Sequence, residues 1–326
     1  MKKVLAVTFI VTLFIAVISG ITPKNTAEKP QSVTSNIVGQ ITSAEVVEAT
    51  TSISATPVAN PSDKLGEVIR RSISPYTAQN NFGTIYMNNK TTKTVDIETE
   101  LTTPLDIKIF DTKEPQVLIM HTHATESYME ENRDYYTKND RTHSDDTEQN
   151  IVKIGAVIAE KLRENGIAVI HDKTLYDGGS YTGSYERSGE GVEKVIKKNP
   201  SIKVVLDIHR DAVASGETGQ IAPICEVNGK TAAQIMLVMG CNDGSITTHE
   251  NWRQNLRLAL RFQQAAELKY KGFARPLSLV PRQYNQNLTK GSMLIEVGTQ
   301  VNTFEEAEYS AELTGDLLVR ILKGLK

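Results

Sequence analysis

The 326-residue sequence holds only two cysteines, Cys225 and Cys241, too few for a disulfide framework. Asn228-Gly229 lies between them and reads as a two-residue hairpin turn, which pairs Cys225 with Ala232 rather than with Cys241. Both thiols are therefore expected free. An excess of positive charge is missing too. Against 36 Lys and Arg stand 39 Asp and Glu, a formal net charge of −3, which leaves no electrostatic footprint for nucleic acid. Aromatics are sparse, and neither zinc-finger spacing nor a phosphate-cradling glycine-rich loop occurs.

The longest apolar run lies at the N-terminus. In MKKVLAVTFIVTLFIAVISGI, Lys2 and Lys3 precede about 18 mostly apolar residues, enough to cross a bilayer. The lysines place the N-terminus in the cytoplasm and the rest of the chain outside. A clean A-x-A cleavage site does not follow Gly20, so residues 1–21 are expected to be a retained transmembrane anchor rather than a signal segment. Residues 22–63 are rich in Thr, Ser, Ala, Val and Pro and poor in large apolar side chains. Such composition does not offset the entropy of ordering and reads as a disordered stalk. Residues 64–113 read as a small N-terminal extension, with a helix over LGEVIRRSI and a strand over TVDIETEL.

From residue 114 to 326 the pattern alternates. Gln116–Met120 reads as a buried strand. Ile151, Ile154, Val157, Ile158 and Leu162 make a helical stripe stopped by Gly166. A strand at 167–170, a helix over 184–198, a strand at 202–208 and the Asn-Gly hairpin follow. Asn251 is expected to cap a helix reaching about Tyr270. A strand at 291–298 and a helix over 303–325 close the chain. This is the pattern of an α/β fold with a twisted, largely parallel sheet sandwiched by helices.

In such sheets, sites form at the carboxyl ends of the strands. There stand His121 and His123, His209, and Glu296. Residues i and i+2 of a strand face the same way, so His121 and His123 are both directed at one site by that rule. Asp207 lies two residues before His209 and is placed to orient its imidazole. Two imidazoles, a carboxylate and one open position make a standard catalytic zinc set. The carboxylate candidates are Glu126, three residues past His123, then Asp145 and Asp146, and Glu148 at the opening of a helix. Glu296 follows the apolar Ser-Met-Leu-Ile run, so desolvation should raise its pKa toward that of a working general base. Arg210 is a candidate grip for a substrate carboxylate. Arg253, Arg257 and Arg261 repeat every four residues and read as the solvated face of a helix.

The segments PQVLIMHTHATESY, NIVKIGAVIAEKLRENGI, VVLDIHRDA, NWRQNLRLALRFQ, ARPLSL, YNQNLT and LIEVGTQVNTFEEA occur in that order from about Glu114 onward. Together they resemble the stage II sporulation protein P family, cell-wall hydrolases similar in turn to zinc-dependent N-acetylmuramoyl-L-alanine amidases. The resemblance implies an amidase-like fold and cleavage of the amide joining the lactyl group of muramic acid to L-alanine, with endopeptidase activity on cross-linked stem peptides. It implies one Zn2+ per chain, held by His123 (His121 the alternative), Glu148 and His209, with Glu296 catalytic. It further implies peptidoglycan as substrate, sporulation proteins D and M as partners, and a place at the sporulation septum during forespore engulfment. The amidases' Gly-His-Gly-Gly is replaced here by His-Thr-His, which leaves His121 without an assigned role.

Two other readings compete. One is a non-catalytic wall-binding or scaffold component of the same complex. The other is a metal-dependent phosphoesterase or amidohydrolase, suggested by the H-x-H strand end but needing a barrel of about 250 residues.

Overall fold

The computed structural model describes residues 63–326, apart from residue 141. The expected anchor and nearly all of the expected stalk lie outside the described residues. No helix among the described residues is long and apolar enough to cross a membrane.

The first described strand, β1 (Lys64–Arg71), falls where the sequence suggested a helix. Leu65, Val68 and Ile69 satisfy helical spacing, but the strand alternation that buries Gly66 and Val68 prevails. Neighbours on both sides decide it: β1 pairs antiparallel with β5 (Tyr135–Thr137) and parallel with β9 (Gly219–Val227). Gly66 is required there, because a Cβ would collide with the Thr218 carbonyl and the Tyr136 ring. The second misreading is the reverse. The expected strand over TVDIETEL is largely helix α1 (Ile97–Thr102), capped by Asp96, whose carboxylate accepts from the Thr99 amide at 2.9 Å.

The main sheet has eight strands. In spatial order they are β2 (Asn80–Phe82), β3 (Ile85–Asn89), β12 (Leu277–Val280), β11 (Ile235–Gly240), β13 (Gly291–Thr299), β7 (Val204–Asp211), β4 (Val117–Met120) and β6 (Val169–His171). All neighbours are parallel except β2–β3 and β11–β13, so the sheet is mixed, with parallel pairs in the majority. A smaller sheet joins β10 (Lys230–Ala233), β9, β1 and β5, with β8 (Ala214–Ser215) on β9. The Asn-Gly hairpin links β9 to β10 in the expected register, Cys225 opposite Ala232, and both cysteines are free. Residues 64–113, expected as a small N-terminal extension, supply β1 to the small sheet and β2 and β3 to the main one.

Alternation along the strands assigns two faces. Val117, Ile119, Val204, Leu206, Ile208, Met293, Ile295 and Val297 join the large core. That core is completed by α2 (Ile151–Glu164), α4 (Trp252–Lys269) and α5 (Phe304–Lys323). Leu118, Met120 and Val205 point the other way, against Val192 of α3 (Ser184–Lys198). Arg253 and Arg257 do not line a solvated face. Both pair with buried Glu100 of α1, and Arg261 donates to the Thr103 carbonyl at 2.7 Å, so the arginine row clamps α1 onto α4.

Candidate active site

Strands β4, β7 and β13 run parallel, so their carboxyl ends meet at one edge of the sheet. Glu296 pairs in register with His209, and Leu294 with Asp207. By alternation these four side chains face the α3 layer. His209 lies between two carboxylates: Nε2 is 2.8 Å from Asp207 Oδ1, out of line with a ring N–H, and Nδ1 is 3.5 Å from Glu126 Oε2. Asp207 accepts from the Thr122 amide at 2.9 Å and from its hydroxyl at 2.8 Å. Burial alone would lower the His209 pKa, but Asp207 and Glu126 outweigh it and hold the imidazole well above its usual value. Glu126 is shifted the opposite way. Burial would raise it, yet His209 and Arg210 keep it below the ordinary carboxylate range.

The H-x-H motif divides between the two faces. Strand β4 ends at Met120, so the rule that i and i+2 share a face stops there. His121 continues the strand's large-core face and is fully buried beneath α2. Its Nδ1 lies 3.0 Å from the Ile208 carbonyl, and its Nε2 is 2.9 Å from His171 Nε2. Gly155 of α2 makes room: a Cβ there would lie 2.5 Å from the His121 ring. His123 lies past the turn and emerges on the α3 side, its ring centroid 5.3 Å from that of His209. Ser184 Oγ stands 3.4 Å from its Nδ1. Burial and the neighbouring His209 lower its pKa. The two halves of the motif therefore do not converge on one site.

Glu148 is not brought to the pocket. Asn150 caps α2, its side chain accepting from the Val152 amide at 2.9 Å, so Glu148 lies two residues outside the helix. It is exposed and paired with Lys153 at 2.7 Å. Glu126 is there instead. Its amide donates to the His123 carbonyl at 3.1 Å, a tight turn that carries the carboxylate to the end of β7. The Arg210 amide donates to Glu126 Oε2 at 3.0 Å. Arg210 itself is 7% exposed, and its guanidinium serves the chain, donating to the Ser127 carbonyl at 3.2 Å and the Thr142 carbonyl at 2.8 Å. It positions Glu126 and its loop and is not free to grip a substrate carboxylate.

His123, Glu126, His209 and Glu296 line one pocket of about 320 Å³. Glu296 Oε2 is buried in it without a hydrogen-bond partner. Desolvation, opposed in part by His209 and reinforced by Asp211 and Glu126, raises its pKa to about 8. Tyr181, Tyr185 and Tyr284 form another side of the pocket, and sequence reasoning missed all three. Tyr181 stacks on His123 with centroids 4.1 Å apart and planes 7° from parallel. Tyr284 and Asn285 both have left-handed backbones, φ 51° and 55°, a conformation that costs about 1–2 kcal/mol for an L-residue with a bulky side chain. Asn285 Nδ2 anchors that bend to α3, donating to the Tyr185 carbonyl at 2.8 Å and to Ser188 Oγ at 3.0 Å. Ser188 Oγ is 2.9 Å from Thr122 Oγ1, so hydrogen bonds run from the tyrosine loop through Thr122 to Asp207, the carboxylate beside His209.

In donor chemistry the pocket suits a divalent cation. Two imidazoles and a carboxylate share it, and a proton on His209 stands between two carboxylates where a cation would neutralise them. The side chains are nonetheless not converged, and no group of three or more His, Cys, Asp or Glu among the described residues is arranged to hold a metal ion.

The family model for Stage II sporulation protein P matches residues 28–319. The chain belongs to that sporulation family. Stage II sporulation protein P of Bacillus subtilis (strain 168) is 27% identical over 212 residues, covering 62% of this chain and 49% of the relative. The chain thus spans about half the length of the curated relative it matches. Among solved structures, the N-acetylmuramoyl-L-alanine amidase AmiC2 of Nostoc punctiforme is similar at 11% identity and TM-score 0.38, over 64% of this chain and 96% of that one. The CwlD amidase from Clostridioides difficile in complex with the GerS lipoprotein is similar at 14% identity and TM-score 0.41, over 64% and 98%.

Proposed function

We propose that this member of the family is a peptidoglycan hydrolase, a zinc-dependent N-acetylmuramoyl-L-alanine amidase with stem-peptide endopeptidase activity. The observation that carries the reading is Glu296. A buried carboxylate with an unpartnered Oε2 stands in register beside His209, in the pocket that also holds His123 and Glu126. The phosphoesterase alternative is disfavoured, because His121 turns away from His123.

His123, His209 and Glu126 would hold the metal, with Glu126 in the place that the resemblance assigns to Glu148. Zinc bound there would supply Lewis-acid polarisation of a carbonyl and a more acidic water. Asp207 stands 2.8 Å from His209 Nε2, which leaves Nδ1 on the side of Glu126 and the pocket. Glu296 Oε2 takes the proton of the attacking water and delivers it to the leaving amine nitrogen. Its desolvated carboxyl, with a pKa raised toward neutrality, suits both halves of that transfer. By the family's setting, the chain acts outside the membrane at the sporulation septum, anchored through residues 1–21, with sporulation proteins D and M as partners.

Replacing Glu296 with Gln should lower peptidoglycan hydrolysis by about 10²–10⁴-fold while bound zinc, measured by elemental analysis, is unchanged. Mass spectrometry of the wild-type products should show free muramyl lactyl groups and released L-alanine amino termini. Wild-type turnover in the Gln variant would overturn the role of Glu296. Binding to sacculi with no bond cut would favour a scaffold.

A further inference from the structure

The chemistry proposed above uses none of Tyr181, Tyr185 and Tyr284, yet all three face its pocket. The pocket is asymmetric. Toward Arg210 and Asp211 it is charged, but those charges are committed: Arg210 to Glu126 and two chain carbonyls, Asp211 to Arg275 at 2.8 Å. The tyrosine side is aromatic, built of the rings of Tyr181, Tyr185 and Tyr284.

The structure keeps this wall in place at a cost. Tyr284 is bulky and β-carbon-bearing, yet it sits beside Asn285 in two consecutive left-handed residues. Strain of this kind persists only where the surroundings enforce it, and it gathers at functional sites. Here Asn285 enforces it through its bonds to α3. Gly189 leaves the space that Asn285 needs, since a Cβ there would come within 3.0 Å of Asn285 Oδ1. Tyr284 is also packed on Tyr185, centroids 5.5 Å apart. One face of Tyr181 covers His123, while the residue remains 64% exposed.

We propose that this tyrosine wall is a sugar subsite, which receives the hexose ring carrying the scissile amide, and that Tyr284 is its specificity-determining residue. The proposal rests on the amidase reading for its choice of sugar. The C–H face of a pyranose is apolar and weakly positive, and it complements the negative face of an aromatic ring. Hydroxyls at the edge of the sugar meet the phenol hydroxyls. A stem peptide bears carboxylates, and the one guanidinium among the pocket's lining residues, that of Arg210, is already committed; exposed Arg282, which acts on Tyr284, lies outside that lining.

The test is binding in the Glu296→Gln background, where cleavage does not interfere, measured by calorimetry with two ligands. One is a muramyl peptide, the other the same peptide without its sugar. The muramyl peptide should bind about tenfold more tightly, the scale of one good aromatic stack. Tyr284→Ala should erase that advantage and leave the affinity for the free peptide unchanged, whereas Tyr284→Phe should keep most of it. Asn285→Ala, which releases the anchor and spares the ring, should give an intermediate loss. Tyr181→Ala alters an exposed residue and serves if Tyr284→Ala does not fold. An unchanged muramyl-peptide affinity, or equal weakening of both ligands, overturns the subsite. If wild-type chain cuts no muramyl amide while Tyr284-dependent sugar binding persists, the amidase reading falls and the subsite stands.

Discussion

Around the carboxyl ends of β4, β6 and β7, the two faces of one sheet carry two pairs of histidines with opposite fates. Under α2, His121 and His171 touch each other and a backbone carbonyl, and burial drives their pKa values down to about 4 and about 3. Under α3, His209 lies against Asp207 and Glu126 and is held in its charged form, with His123 5.3 Å away. Three of the four rings are buried, and His171 is half-buried. What separates them is the placing of carboxylates: Asp207 and Glu126 lie against His209, whereas His121 and His171 meet each other at 2.9 Å, and His171 lines a separate surface pocket beside Glu160 and Arg163. A neutral imidazole pair under a helix, bonded to itself and to the Ile208 carbonyl, is a packing and hydrogen-bonding device. His209 beside its carboxylates, with His123 and Glu126 in the same pocket, supplies the donors of a ligand set once its ring gives up its extra proton.

The sharpest break in that comparison should come from His123→Ala beside His121→Ala. The first is expected to lower hydrolysis by about 10²-fold or more and to lose zinc, with little change in urea midpoint. The second should keep its zinc and lose about 1–3 kcal/mol of stability, the cost of unpartnered buried groups and a small cavity. A zinc-bound His123→Ala protein beside a metal-free His121→Ala protein would reverse the assignment.

A smaller effect sharpens the α3 side alone. Glu126→Gln should weaken zinc affinity about 10–100-fold in a chelator competition, because it removes the charge that His209 and Arg210 converge upon. Glu148→Gln should change affinity less than about twofold, since only an exposed pair with Lys153 is lost. Equal losses from both would return Glu148 to the site.

The smallest effect is on stability against pH. The folded-state pKa values of His121, His171 and buried His249 lie below the unfolded value near 6.5, with His249 at about 4. Their contribution is complete above pH 6.5 and is lost as pH falls toward 4, with a slope of at most about 1.4 kcal/mol per pH unit for each histidine. Chemical denaturation at pH 7.5, 6 and 5 should show that decline, and His249→Gln should flatten it in part. His209 and Glu296, whose pKa values are raised, oppose the decline, so the deciding comparison is between variants: an equal pH dependence in wild type and His249→Gln would show that this ring is not held neutral.

Much of the core domain was legible. Helical stripes and apolar strands gave the positions of α2 to α5 and of β4, β7 and β13, since those elements owe their form to periodicity that a single segment carries. The small sheet was not legible. LGEVIRRSI fits a helix and a strand equally, and the choice came from β5 and β9, residues 135–137 and 219–227, which crowd Gly66 from both sides. His209 and Glu296 were readable as strand-end residues, and in the structure they are side by side. The carboxylate that joins them was harder, because Glu148 and Glu126 both lie near plausible turns. Asn150 rather than Glu148 begins the helix, and that one cap moves Glu148 outside. The tyrosine wall left no local trace, as Tyr181 and Tyr284 stand 103 positions apart.

The sequence by itself determined which strands end in chemistry, because an apolar run that stops at a histidine or a carboxylate is a property of neighbouring residues. Only the tertiary structure decided which histidine of His-Thr-His turns toward the pocket and which carboxylate meets it. Those choices depend on where β4 stops, on how closely Gly155 lets α2 approach, and on how Arg210 draws Glu126 to β7, and each is a contact between segments far apart along the chain.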